Sequence, residues 1–234
     1  MPESASALLA IAMMTSGYFA ILCATPPNPT PEKKNRHSID RISFISGTFS
    51  TVARRICVTP VIYHGFLAGV AHYAPARMSQ MCPLARNTNP ELFAWNQLSF
   101  TALLLMYVGT YVRLSAYGGL GKCFTFHLAP PPHLVTTGIY SWIQHPSYTG
   151  LAMICLGGAM LFLRWDATPA CWIPGSVLSQ LEGLGVGISV AVMGGVFWTL
   201  AVRVRDEEDM LRQRFGGKWE EWHRSTWRFI PGLI

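Results

Sequence analysis

The sequence predicts an all-α, polytopic integral membrane protein with about five transmembrane helices and an amphipathic cytosolic helix towards its C-terminus. Three observations carry this. Half of the 234 residues are hydrophobic and only 13% are charged, against about 25% in soluble domains. The apolar residues fall in long uncharged blocks, each near the roughly 20 residues a helix needs to cross the hydrocarbon. The cations between the blocks are distributed unevenly. Together these exclude a disordered chain, a coiled coil and an ordinary soluble enzyme. Net charge is +6, but no basic stripe with interleaved aromatics suggests nucleic acid.

The blocks run over residues 5–24, 56–74, 93–114, 148–163 and 183–202. The first lacks a basic start and carries Glu3, so it reads as a retained span rather than a cleaved signal. Glycines in the last two blocks, Gly157, Gly158, Gly194 and Gly195 among them, suit close helix packing in a membrane. Placing the N-terminus outside the cytosol puts residues 25–55, 113–147 and 203–234 on the cytosolic side. That side then holds fifteen of the eighteen Lys and Arg residues. Only Arg77, Arg86 and Arg164 are left for the lumen, a strong positive-inside bias. Glu182 sits at a span edge and Arg113 reads as terminal to the third span. The Pro-rich stretch 25–40 reads as an extended loop. The organisation expected is one membrane domain over 1–234. Residues 1–112 supply N-terminal spans and loops, and 113–234 carry the chemical core. The six cysteines show no C-x-x-C pair, so buried free thiols are expected rather than a disulfide framework or a metal site.

Two polar segments stand out. The first, residues 133–150, holds His133, His145, three aromatics and two glycines just before a span. Gly138 can supply a turn with exposed N–H groups. Pro146 suits the first turn of the next helix, whose N-terminus favours an anion. An interfacial aromatic belt accounts for the same residues. The second, residues 203–222, continues the last span. Its helical phase places Val204, Leu211 and Phe215 on one stripe flanked by Glu207 and Glu208. Arg205, Asp209 and Arg212 point away. Arg205–Asp209 and Glu208–Arg212 have the i,i+4 spacing of solvated pairs. Arg203 and Glu207 are charges near a membrane boundary angled towards the protein, hence functional candidates.

The two segments read L-V-T-x-G-x-Y-x-x-x-x-H-P-S-Y-x-G and R-x-x-x-E-E-x-x-L-x-x-x-F-G-x-x-[YW]-x-x-[YW], followed by I-P-G. Over residues 133–231 the chain resembles the isoprenylcysteine carboxyl methyltransferase family, within a wider group of small membrane phospholipid methyltransferases. The resemblance implies S-adenosylmethionine as methyl donor and the C-terminal carboxylate of a prenylated cysteine as acceptor. It implies the endoplasmic reticulum membrane, with the active site facing the cytosol. Donor contacts would come from His133, Leu134, Val135, Gly138, Tyr140, His145, Tyr148 and Glu208. Arg203 and Glu207 would lie nearest the transfer. The family commonly has Arg before the His-Pro pair; here it is Gln144. It often has Tyr where Trp219 and Trp222 stand.

A carboxylate acceptor is ionised at neutral pH and needs positioning and dehydration rather than a base. Arg203 can fix it through two hydrogen bonds. Glu207 would hold Arg203 by i,i+4 pairing or shape the surroundings of the cationic donor. No metal and no nucleic acid are implied, and membrane lipids are the surroundings. Methylation of a lipid amine or another apolar small molecule is the alternative chemistry. An inactive membrane scaffold is the alternative class, and a transporter ranks last.

Overall fold

The computed structural model describes residues 3–43, 48–181 and 183–232, so Glu182 lies outside the described residues. Eight α-helices are described: α1 (Glu3–Cys23), α2 (Thr48–Tyr73), α3 (Pro75–Met81), α4 (Gln97–Leu120), α5 (Pro146–Leu161), α6 (Gly175–Leu181), α7 (Leu184–Phe215) and α8 (Gly217–Ser225). Among the described residues there is no strand, only an isolated parallel bridge between Ile143 and Trp227.

Among the described residues, four helices are long and apolar enough to cross a membrane: Ser4–Cys23, Arg55–Tyr73, Gln97–Cys123 and Leu184–Phe215. The fourth expected span is the 16-residue α5, about 24 Å long at 1.5 Å per residue. It starts at Pro146, as expected, because proline gives up an N–H that a first turn leaves unpaired anyway. The 32-residue α7 is about 48 Å long and outruns a hydrocarbon core of about 30 Å. Its charged end therefore continues the same helix. Val186, Val190, Val192 and Trp198 on α7 are exposed, as suits a surface solvated by lipid.

The chain divides into two compact units. The first takes Met1–Leu22, Ala53–Tyr107 and Met153–Gly194. Its core packs Leu9, Met13, Val61, Leu92, Met106 and Phe162. Gly157 is required here, since a Cβ would stand 2.5 Å from the Ala102 carbonyl oxygen. Cys82 and Cys171 form a disulfide across 89 residues of sequence. This corrects the expectation of free thiols. The two cysteines come from separate connections, and residue spacing alone does not show such pairing. Cys23 is a buried free thiol and Cys57 an exposed one.

The second unit takes Cys23–Val52, Val108–Ala152 and Gly195–Ile234. Its apolar cluster includes Ala116, Leu128, Tyr140, Leu211, Trp219 and Trp222. Here Gly150 lets α5 meet α4, since a Cβ would lie 2.5 Å from the Gly109 carbonyl oxygen. Arg113 was expected at a helix end. It lies inside α4 and is 6% exposed, because α4 continues to Leu120.

Candidate active site

The second unit brings residues 133–150 against residues 203–222. Pro146 opens α5 and aims His145 and Tyr148 at the charged turn of α7. His145 Nε2 lies 3.0 Å from Glu208 Oε1. Tyr148 Oη donates to Glu207 Oε2 at 2.7 Å. Backbone bonds fix the entry to α5. The N–H of Gln144 donates to the Trp227 carbonyl at 2.8 Å, and that of His145 to the Arg228 carbonyl at 3.0 Å.

Arg228 escaped the sequence reading. Its Nε donates to Glu208 Oε1 at 2.9 Å, and its Nη2 reaches Glu208 Oε2. Glu208 is therefore held by a cation and a histidine, and not by Arg212 as its i,i+4 spacing predicts. Arg212 pairs instead with Glu220 at 2.6 Å. Arg205 and Asp209 are exposed, as expected.

Gln144, which stands where the family has Arg, does other work. Its Nε2 donates to the carbonyls of His223 (3.0 Å) and Thr226 (2.8 Å), and its Oε1 faces His223 Nδ1 at 2.7 Å. Burial pushes the His223 imidazole below its ordinary pKa, which favours the neutral ring facing the amide.

Arg203 is 5% exposed. Its Nη1 donates to Asp40 Oδ1 at 2.6 Å and its Nη2 to the Phe126 carbonyl. The i,i+4 ion pair expected with Glu207 is replaced by this one, because Asp40 reaches the guanidinium from a distant segment. Glu207 goes to Tyr148. Asp206 is 2% exposed and lies 3.0 Å from Arg41 Nε. Sequence reasoning missed Asp206, although three residues after Arg203 it shares the inward face of the helix.

Arg113 is a further buried cation. It donates to the Cys23 carbonyl at 2.8 Å and to the Ser147 carbonyl and hydroxyl at 2.9 Å. Its guanidinium sits 5.2 Å from the Tyr117 ring centre, within cation–π range.

The other expected donor residues line the same unit less centrally. Tyr140 is buried; burial and the nearby Glu207 carboxylate push its phenol well above the usual range. It therefore stays a neutral hydroxyl, donating to the Ala116 carbonyl at 3.3 Å. Leu134 and Val135 pack against its cluster. Gly138 adopts φ +62°, a left-handed turn that glycine enters without Cβ strain. His133 is exposed. It lines, with Leu134, Phe215, Lys218 and Trp222, an open cavity of about 660 Å³. No bond joins His133 or Gly138 to the His145–Glu208 pair among the described contacts.

These features define a helical membrane protein with a buried cluster of paired charges. The sequence profile of the isoprenylcysteine carboxyl methyltransferase (ICMT) family matches residues 102–182. The chain is similar to protein-S-isoprenylcysteine O-methyltransferases of three organisms. The Dictyostelium discoideum relative is 30% identical over 142 residues, which cover 58% of this chain and 50% of the relative. The Schizosaccharomyces pombe relative is 28% identical over 144 residues, 59% and 52% of the two chains. The human relative is 27% identical over 146 residues, 61% and 44% of the two. The chain spans about half the length of the curated relatives it matches.

Proposed function

We propose that this chain transfers a methyl group from S-adenosylmethionine to the C-terminal carboxylate of a prenylated cysteine, in the endoplasmic reticulum membrane, at a site facing the cytosol. The observation that carries the reading is the meeting of the two motif segments, His145 with Glu208 and Tyr148 with Glu207, in one unit. The similarity to O-methyltransferases named for this acceptor points the same way. Residues 113–234 form the core in this reading. The Cys82–Cys171 disulfide supports the orientation. It joins the two connections assigned to the lumen, and disulfides persist in oxidising compartments.

The residues present suit the donor. The cavity beside Leu134 and Trp222 has the volume of a small-molecule site. Glu208 is a fixed carboxylate, and among the described residues the buried Nδ1 of His145 has no hydrogen-bond partner; in this reading a polar group of the donor bonds it. When bound, the donor supplies an electrophilic methyl on a sulfonium. In this reading His133, Leu134, Val135, Gly138, Tyr140, His145, Tyr148 and Glu208 hold it, with Glu208 and Arg228 as the fixed polar end.

Arg203 receives the acceptor's carboxylate. Its charge keeps that group ionised and its planar fork orients one oxygen for in-line attack. The new O–CH₃ bond forms as the S–CH₃ bond breaks, leaving a neutral thioether and a neutral ester; no proton moves. Glu207, held by Tyr148, contributes negative potential beside the cationic donor. The low-dielectric surroundings strip water from the acceptor oxygen.

The test uses membranes containing the full chain, labelled S-adenosylmethionine and N-acetyl-S-farnesylcysteine. A base-labile methyl ester is expected, and Arg203→Ala lowers its formation at least a hundredfold while donor binding survives. A base-stable product on lipid amine, or no donor binding, overturns the reading.

A further inference from the structure

Arg203 already has a carboxylate on it. Asp40, from the connection between α1 and α2, stands 2.6 Å from Nη1, and the two side chains are only 6% and 9% exposed. Asp40 Oδ2 also accepts from the Leu128 N–H at 3.3 Å. The segment around it is held by buried Ile42 and by a few named bonds. The His37 N–H donates to the Leu128 carbonyl at 2.7 Å. The Arg41 N–H donates to Asp206 Oδ2 at 3.2 Å, and the Arg41 side chain is 58% exposed.

This arrangement has a chemical consequence. Because the pair is buried, a second carboxylate reaches Arg203 Nη1 only by taking the place of Asp40. An incoming acid restores the same charge balance, so the exchange leaves no buried cation uncompensated. An incoming amine or neutral group would leave Arg203 without a counter-charge, a costly state in a low dielectric. The Phe126 carbonyl on Nη2 holds the guanidinium in place through the exchange. His127 stands beside it; burial and the Arg36 cation push its pKa down, so it adds no positive charge to recruit the carboxylate.

We propose that Asp40 is an internal surrogate for the acceptor's carboxylate. It marks the acceptor subsite on Arg203, and its displacement sets acceptor affinity and selects acids over neutral or cationic head groups. The inference rests on the assignment of Arg203 to the acceptor.

Equilibrium binding of radiolabelled N-acetyl-S-farnesylcysteine, and of its carboxamide, to the detergent-purified full chain without donor tests it. Asp40→Asn tightens binding of the acid at least fivefold and that of the carboxamide less than twofold. The KM for the acid falls in parallel. Arg41→Gln, which loosens the segment from an exposed anchor, shifts acid affinity the same way by about twofold. Unchanged or weaker acid binding in folded Asp40→Asn overturns the proposal; should that variant not fold, absence of tightening in Arg41→Gln does so. Wild-type chain binding acid and carboxamide equally overturns the Arg203 assignment itself, and this inference with it.

Discussion

The two units treat polar groups in opposite ways. In the first, the ion pair described, Arg164 with Asp166, is about one-third exposed and spans two residues of sequence. The interior is apolar, stapled by a disulfide, with His64 stacked on Phe93 at 4.2 Å between ring centres. In the second, Arg113, Arg203, Asp206 and Glu208 are all buried, and their partners come from distant segments. Burying charge is costly and seldom improves stability over an apolar packing. The contrast separates a unit with an apolar interior from one that buries paired charges at a stability cost, which in the reading proposed above serves a polar ligand.

That contrast can be broken at several points. The largest stability effect is expected from Cys82→Ala with Cys171→Ala. Opening a closure of 89 residues costs up to about 4.6 kcal/mol in the chain-entropy account. Thermal unfolding in detergent should show it, while methyl-ester formation per folded molecule stays within twofold. A matching loss of donor affinity would dissolve the distinction between the units. Next is Glu208→Ala, which strands His145 and Arg228. Removing one partner of a buried pair costs about 3–5 kcal/mol. With the Arg228 side chain 43% exposed, about 2–3 kcal/mol is expected after solvent screening. Donor affinity, read by calorimetry, should fall at least tenfold; an unchanged value removes Glu208 from the donor site. The smallest is Arg212→Ala. Its pair with Glu220 is 65% and 34% exposed, so the stability change should stay below about 1 kcal/mol with donor affinity intact.

Local rules made part of this legible in the sequence. Pro146 announced the start of α5 because its effect acts on its own turn. The uncharged blocks announced the long helices because hydropathy sums over neighbours. The same local rules misdirected the ion pairs. Spacing of four residues pointed Arg203 to Glu207 and Glu208 to Arg212, whereas Asp40 lies 163 residues from Arg203 and Arg228 lies 20 from Glu208. Helix phase did carry the signal for Asp206, which shares the inward face with Arg203. Nothing local could mark Asp40 or the Cys82–Cys171 bond, since both depend on which connections the folded helices bring together. Arg113 was misplaced for a simpler reason: its charge reads as the end of a span, yet α4 runs on past it to Leu120 through the uncharged stretch Ser-Ala-Tyr-Gly-Gly.

The bridge between Ile143 and Trp227 has a consequence for biosynthesis. A ribosome reaches Arg228 only after the eight described helices have been made. Until then Glu208 lacks its guanidinium, and residues 144 and 145 lack the carbonyls their N–H groups engage. Nascent chains stalled before that point would insert their helices yet leave the cluster open, so the site closes only once Trp227 and Arg228 have been added.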